Sequence, residues 1–328
     1  MIMNKMLFRR NLILMAVLLC ASSMSMAMDK SKEMTKVTPV YGNPTETHAM
    51  KVPKQVQFCN QTIDLRRMDI RERFDRELMA MNYMHSATLQ MIKRANRYFP
   101  IIEPILKANN VPDDMKYLCC IESGMNPKSV SSVGAAGLWQ FMSSTAQEYG
   151  LQVNSDVDER YHIEKSTVAA CQYLKDAYEI YKDWNLVAAA YNAGKRRITQ
   201  ELEKQKVDNY FDLYLNEETS RYVYRILACK WVLEHLKDYG FHLNAEDLYQ
   251  PIAYKKVIVN TAVPDWAAFA VEQGTTYKQL KEANLWIKGN VMLNKAGRLY
   301  EVKIPASDKA LLFDEKKLKT HQPAWIYE

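Results

Sequence analysis

The chain has 328 residues, of which 48% are hydrophobic and 25% charged, and a formal net charge of +6. This length supports a substantial core and a second small domain. So modest a positive balance does not point to nucleic acid, and is compatible with an anionic surface or polymer as partner.

The chain opens with Lys5, Arg9 and Arg10, followed by an apolar run from Leu12 to Ala21 and by Ser25-Met26-Ala27, with small residues where a signal peptidase needs them. This predicts a signal peptide over 1–27, because about ten apolar residues fall short of the roughly 20 that span a bilayer as a helix. Lipid modification at Cys20 is the minor alternative, and the bulky Leu19 before it argues against it. Cleavage removes three cations and leaves a charge of +3 and five of the six cysteines. Cys59, Cys119, Cys120, Cys171 and Cys229 lack the paired spacing of a zinc site. They are expected in the core with at least one unpaired. Cys119 and Cys120 point different ways on a helix, while a bridge from either to Cys59, Cys171 or Cys229 stays open.

Residues 28–58, rich in Lys, Thr, Glu and Pro, predict a flexible linker. Amphipathic helices follow over Arg73–Met84, Thr88–Tyr98 and Ile101–Ala108, punctuated by Pro100 and Pro112. Three-and-four spacing recurs over Glu164–Tyr181, Leu186–Tyr191 and Thr219–Tyr239. The fold class is therefore mainly α, with one helical domain over 59–245. Beyond Gly240, Tyr254–Val259 and Leu299–Ile304 alternate like strands and bracket two short helices, Trp266–Glu272 and Thr276–Ala283. This predicts a small α+β module over 246–328.

Chemistry concentrates between the helices. Val111-Pro-Asp-Asp-Met-Lys-Tyr-Leu-Cys-Cys-Ile-Glu122 starts a helix and turns apolar just before the acid. Partial burial raises a carboxyl pKa, so Glu122 is placed to hold a proton and deliver it to a glycosidic oxygen; taken alone, a capping or salt-bridging role is equally good. Ser123, Gly124, Asn126 and Pro127 break the helix, and Gly134 and Gly137 allow close backbone approach. Ser131 and Gln140 add hydrogen-bonding groups, and Trp139, Tyr149, Tyr191 and Tyr222 offer rings or phenols for a sugar, although each singly reads more readily as core. Asp156, Asp158 and Glu159 are candidate second carboxylates for a paired-acid glycosidase. No zinc-binding histidine pair, phosphate-cradling loop or cofactor box is present in the sequence, so neither metal nor cofactor is expected.

The blocks Glu122-Ser123, Asn126-Pro127, Ser131, Gly134-Ala-Ala-Gly-Leu-Trp-Gln140, Asp158-Glu-Arg160, Ala189-Ala-Tyr-Asn-Ala-Gly194 and Glu218-Thr-Ser-Arg-Tyr-Val223 resemble, in order, the catalytic domain of lytic murein transglycosylases. The Leu138-Trp139-Gln140 form is similar to that of the membrane-bound D-type branch. The resemblance covers roughly residues 95–240. It implies a goose-lysozyme-like helical fold that cleaves peptidoglycan glycan strands between N-acetylmuramic acid and N-acetylglucosamine. It further implies one acid, Glu122, which protonates the bridging oxygen and then deprotonates the muramyl C6 hydroxyl, closing a 1,6-anhydro ring. By the same resemblance Ser131 orients the acetamido group, Gln140 and Met142 line the cleft, and Tyr191, Asn192 and Tyr222 position the acid and sugar. Asp158 then fixes the loop after Tyr149-Gly150, through Arg160, rather than acting as a second acid. The C-terminal module resembles a degenerate lysin motif through Trp266-Ala-Ala-Phe-Ala, Gly274–Asn284 and Tyr300–Pro305, with Thr261-Ala-Val-Pro-Asp265 in place of the usual Gly-Asp-Thr opening. A periplasmic location, with association with the cell envelope, is expected. The rival readings are a muramidase that uses water and a non-catalytic wall-binding protein.

Overall fold

The computed structural model describes residues 49–327, so the expected signal peptide and most of the expected linker lie outside the described residues. The last residues of that linker are structured. Gln55–Phe58 forms strand β1, paired antiparallel with β2, Gln61–Asp64, across the two-residue turn Cys59-Asn60. Both turn residues have positive φ, 48° and 64°, the geometry that matches the twist of a tight hairpin. Val56, Phe58 and Ile63 alternate inward and are buried. The Cys59 amide donates to Asp114 at 2.7 Å, which fastens the hairpin to the helices.

Helix α1 runs Met68–Tyr83 and α2 runs His85–Ala108. The sequence predicts a break at Pro100, yet α2 continues through both Pro100 and Pro104. Each proline removes one helical N–H. Packing outweighs that loss, because Phe99, Ile102 and Leu106 on the buried stripe are 1% exposed or less. After a 3-10 turn over Asp113–Lys116, the short α3, Tyr117–Ser123, lies in the core with Leu118 and Cys119 fully buried.

The loop 124–142 leads into α4, Ser143–Glu148, then α5, Ile163–Tyr181, α6, Trp184–Ala193, α7, Lys195–Gln205, and α8, Glu217–Glu234. The Asp183 carboxylate caps α6 by accepting from the Leu186 amide at 2.9 Å. Ala188, Ala189 and Ala190 are completely buried, and their small size lets α6 pack against α5, α7 and α8. Helix α8 also packs on α1 and α3, so it forms one side of the acid's surroundings. The five described cysteines are all free and buried. No bridge joins Cys119 or Cys120 to the other three, and burial pushes the Cys171 thiol up to about 12.

The C-terminal module has the expected order: β3, Tyr254–Val259, then α9, Trp266–Glu272, α10, Tyr277–Ala283, and β4, Tyr300–Pro305, with β3 and β4 antiparallel. Thr276 and Gln279 form a capping box on α10. Buried Asn284 donates to the Leu280 and Lys303 carbonyls and accepts from the Lys303 amide, tying α10 to β4. The chain after β4 then leaves the module. Trp325 is 4% exposed in the core of the helical body, and its indole N–H donates to the Leu233 carbonyl at 2.7 Å. Among the described residues no helix is long and apolar enough to cross a membrane.

Candidate active site

Helix α3 ends where Gly124 and Met125 both turn left-handed, φ 58° and 57°. Gly124 is the αL cap that stops a helix, and it leaves Glu122 in the last turn. The Glu122 carboxyl is half-buried. Burial disfavours its charged form and raises its pKa to about 7, against the downward pulls of the Tyr222 hydrogen bond and the Arg225 charge. The Tyr222 hydroxyl donates to Oε1 at 2.5 Å, so Oε2 is the oxygen left for a ligand. A carboxyl that is half-protonated near neutrality suits proton delivery and proton removal alike.

Helix α8 supplies the acid's companions from one face. Glu218, Tyr222 and Arg225 stand at i, i+4 and i+7. The Glu218 charge works against ionisation of Glu122 and that of Arg225 favours it. Spacing puts both residues on the face of Tyr222, but only the packing of α8 on α3 brings that face to Glu122, so the sequence alone assigns them no role. Asn192, at the end of α6, donates to Glu218 at 3.3 Å and accepts from the Thr219 hydroxyl at 2.9 Å. A cleft of about 600 Å³ is lined by Met81, Met84, Met91, Ile121, Gly124, Glu218 and Arg225 among others, so it reaches the chain on either side of Glu122, but Glu122 itself, Tyr222 and the loop 129–142 do not line it.

Ser131, Gln140 and Met142 all lie on the loop 129–142, which is folded on itself by bridges between Val130 and Ala136 and between Ala136 and Phe141. Ser131 Oγ accepts from the Ala135 amide at 3.0 Å, leaving its O–H to donate outward. The Gln140 side-chain amide donates to the Ser129 and Gly137 carbonyls, which fixes its rotamer and leaves Oε1 to accept. Gln140 has φ 49°, a strained backbone of the kind that functional sites retain. Met142 is 42% exposed at the start of α4. Tyr191 joins this loop to the acid's surroundings: its hydroxyl donates to the Trp139 carbonyl at 2.7 Å. Burial first, and the Glu122 charge second, hold its own pKa well up.

The aromatic set divides. Trp139 is fully buried with its indole N–H on Thr167 at 2.9 Å, so it is a core residue and offers no face to a sugar. The Tyr149 hydroxyl is engaged by Asp176 and Lys195. The candidate second carboxylates are likewise committed elsewhere. Asp158 is gripped by Arg160 at 2.9 and 2.8 Å, and Glu159 takes Lys165 and the Gln152 amide. Asp156 meets the C-terminal module. Asp158 accepts from the Arg160 amide within its own loop, and Arg160 also donates to the Gly134 and Phe141 carbonyls, so the nearly buried pair in addition pins the loop 129–142, which the sequence does not announce. Among the described residues no group of three or more His, Cys, Asp or Glu is arranged to hold a metal.

Residues 99–213 match the family model described as the Transglycosylase SLT domain, and residues 255–308 that of the soluble lytic transglycosylase C-terminal LysM-like domain. The chain is 31% identical over 228 residues to the membrane-bound lytic murein transglycosylase D of Escherichia coli K12, a match that covers 68% of this chain and 49% of the relative. A putative tributyltin chloride resistance protein of Alteromonas is 27% identical over 125 residues, 38% of this chain and 60% of that one. The chain thus spans about half the length of the first of these relatives. Among solved structures, the 70 kDa soluble lytic transglycosylase of Escherichia coli aligns with a TM-score of 0.37 and 23% identity, over 43% of this chain and 24% of that one.

Proposed function

The chain carries a transglycosylase SLT domain followed by a lytic-transglycosylase LysM-like domain, and from that premise we propose that it cleaves the N-acetylmuramic acid–N-acetylglucosamine bond of peptidoglycan without water, with Glu122 as the single acid and base. The observation that carries this reading is the half-buried Glu122 carboxyl, its pKa raised to about 7 and its Oε1 held by Tyr222.

Glu122 gives the proton on Oε2 to the bridging oxygen, and the C1–O bond breaks with the departing sugar leaving as an alcohol. The muramyl acetamido group, oriented by the outward Ser131 hydroxyl, stabilises the cation at C1. The carboxylate that forms is met by the Tyr222 O–H and the Arg225 charge. It then takes the proton of the muramyl C6 hydroxyl, whose oxygen bonds to C1 and closes the 1,6-anhydro ring. The acid is thereby returned protonated. Gln140 Oε1 and Met142 line the glycan, while Tyr191 and Asn192 tie the loop and α8 to the site. Such a substrate is reached in the periplasm, and the proposed signal peptide over 1–27 fits that location.

One feature favours a second reading. Glu218 acts on Glu122, and a muramidase would use such a second carboxylate to activate water. Replacing Glu122 with Gln preserves shape and removes the transferable proton. It is expected to abolish muropeptide release from purified peptidoglycan while sedimentation with the polymer persists; release at the wild-type rate would sink the mechanism.

A further inference from the structure

The loop that pins the substrate wall is shared with the C-terminal module. Val157 is 1% exposed and belongs to the module's core together with Trp266, Leu280, Trp286 and Ile287. It pairs across an isolated bridge with Ile287. The Lys288 and Gly289 amides donate to the Asp156 carbonyl at 2.8 and 3.3 Å, and the Asp158 amide donates to the Trp286 carbonyl at 2.8 Å. The Tyr300 hydroxyl donates to Gln152 at 2.6 Å, Lys303 pairs with Glu164, and the Trp286 ring stacks on His162 with centroids 5.9 Å apart. The segment 152–164 of the helical body is therefore held along its length.

The same segment grips the wall that bears Ser131, Gln140 and Met142. Asp158 orients Arg160, whose Nη1 donates to the carbonyls of Gly134 at 2.7 Å and Phe141 at 3.1 Å. The Arg160 carbonyl lies 2.0 Å from where a Cβ on Gly137 would sit, so wall and segment are in backbone contact. We propose that the C-terminal module is a brace for the substrate wall, acting through Val157, Asp158 and Arg160 to position Ser131, Gln140 and Met142. It is then part of the catalytic apparatus even toward a glycan too short to touch it. This assignment of roles to the wall rests on the proposed lytic activity, whereas the brace itself does not.

The test uses the full chain with Val157→Ala, which thins the shared core, and Tyr300→Phe, which deletes only the hydroxyl on Gln152. Hydrogen exchange is followed in 129–142 and, as a control on folding, in α2 and α8. The brace predicts faster exchange in 129–142 with α2 and α8 unchanged. On a murein-derived tetrasaccharide KM rises about tenfold for Val157→Ala, and less for Tyr300→Phe, with the pH profile of kcat unmoved because Glu122 is untouched. Should α2 and α8 lose protection in the first variant, the second decides. Unchanged exchange in 129–142, or a defect confined to long strands, overturns the brace and makes the module a glycan grip. The exchange readout needs no turnover, so a chain with no lytic activity leaves it standing.

Discussion

Glu122 combines two demands that pull apart: it is crowded enough to hold a proton at neutral pH, yet reachable from solvent. Its folded pKa of about 7 lies above the ordinary 4.5, so between those values the folded chain binds more protons than the unfolded one, and stability falls as pH rises through the window. Above both values the ionised side chain costs on the order of 3 kcal/mol. Glutamine carries no such penalty. Urea denaturation should therefore find Glu122→Gln more stable than the native chain at about pH 8 and equal to it at about pH 4, where both side chains are neutral; a constant difference would mean that Glu122 is not desolvated. The apolar run that ends on Glu122 makes its desolvation legible in the sequence, whereas its proposed role as the acid comes from the family resemblance, since the helix alone leaves a capping role equally good. Its neighbours Glu218 and Arg225 were not assigned, since their importance comes from sharing a face of α8 with Tyr222 and from α8 packing on α3, which spacing alone does not reveal. Trp139 fills the core, the reading each aromatic taken singly favours; composition alone does not tell such a ring from one that faces a cleft.

Among the elements, the wall 129–142 is the least regular and the most constrained. Gly137 has φ 80° and no room for a Cβ beside the Arg160 carbonyl, whereas Gly134, with φ 83°, faces open space. Gly137→Ala should destabilise the fold by about 2–4 kcal/mol, and Gly134→Ala by only about 1 kcal/mol. Equal costs in denaturant titrations would show that the wall and the 152–164 segment are not in fixed contact. The periodic helices α5, α6 and α8 and the order of the C-terminal module were readable from spacing. The β1–β2 hairpin was missed because its turn is Cys59-Asn60 rather than a glycine pair, and the continuity of α2 was missed because the local rule against internal proline is overridden by burial of Phe99, Ile102 and Leu106.

Over the whole molecule, the chain's end closes the body it began. The segment after β4 returns to the helices, where Asn96 holds the Lys319 carbonyl and the His321 amide, and Trp325 fills the core beside Phe99. Nothing local in the tail announces this, since the partners lie far upstream in sequence. Trp325→Ala should cost about 3–5 kcal/mol in the unfolding of the helical body although the residue lies beyond the module; a loss confined to the module, seen by hydrogen exchange, would contradict that packing. Hairpin and tail thus complete the core of the helical body that carries Glu122. The most direct test of its role is the mass of the muropeptides released from purified peptidoglycan by the native chain. The account predicts ends lighter by one water than hydrolytic products, assigned by fragmentation to 1,6-anhydromuramic acid. Ordinary reducing ends would contradict it and identify a muramidase.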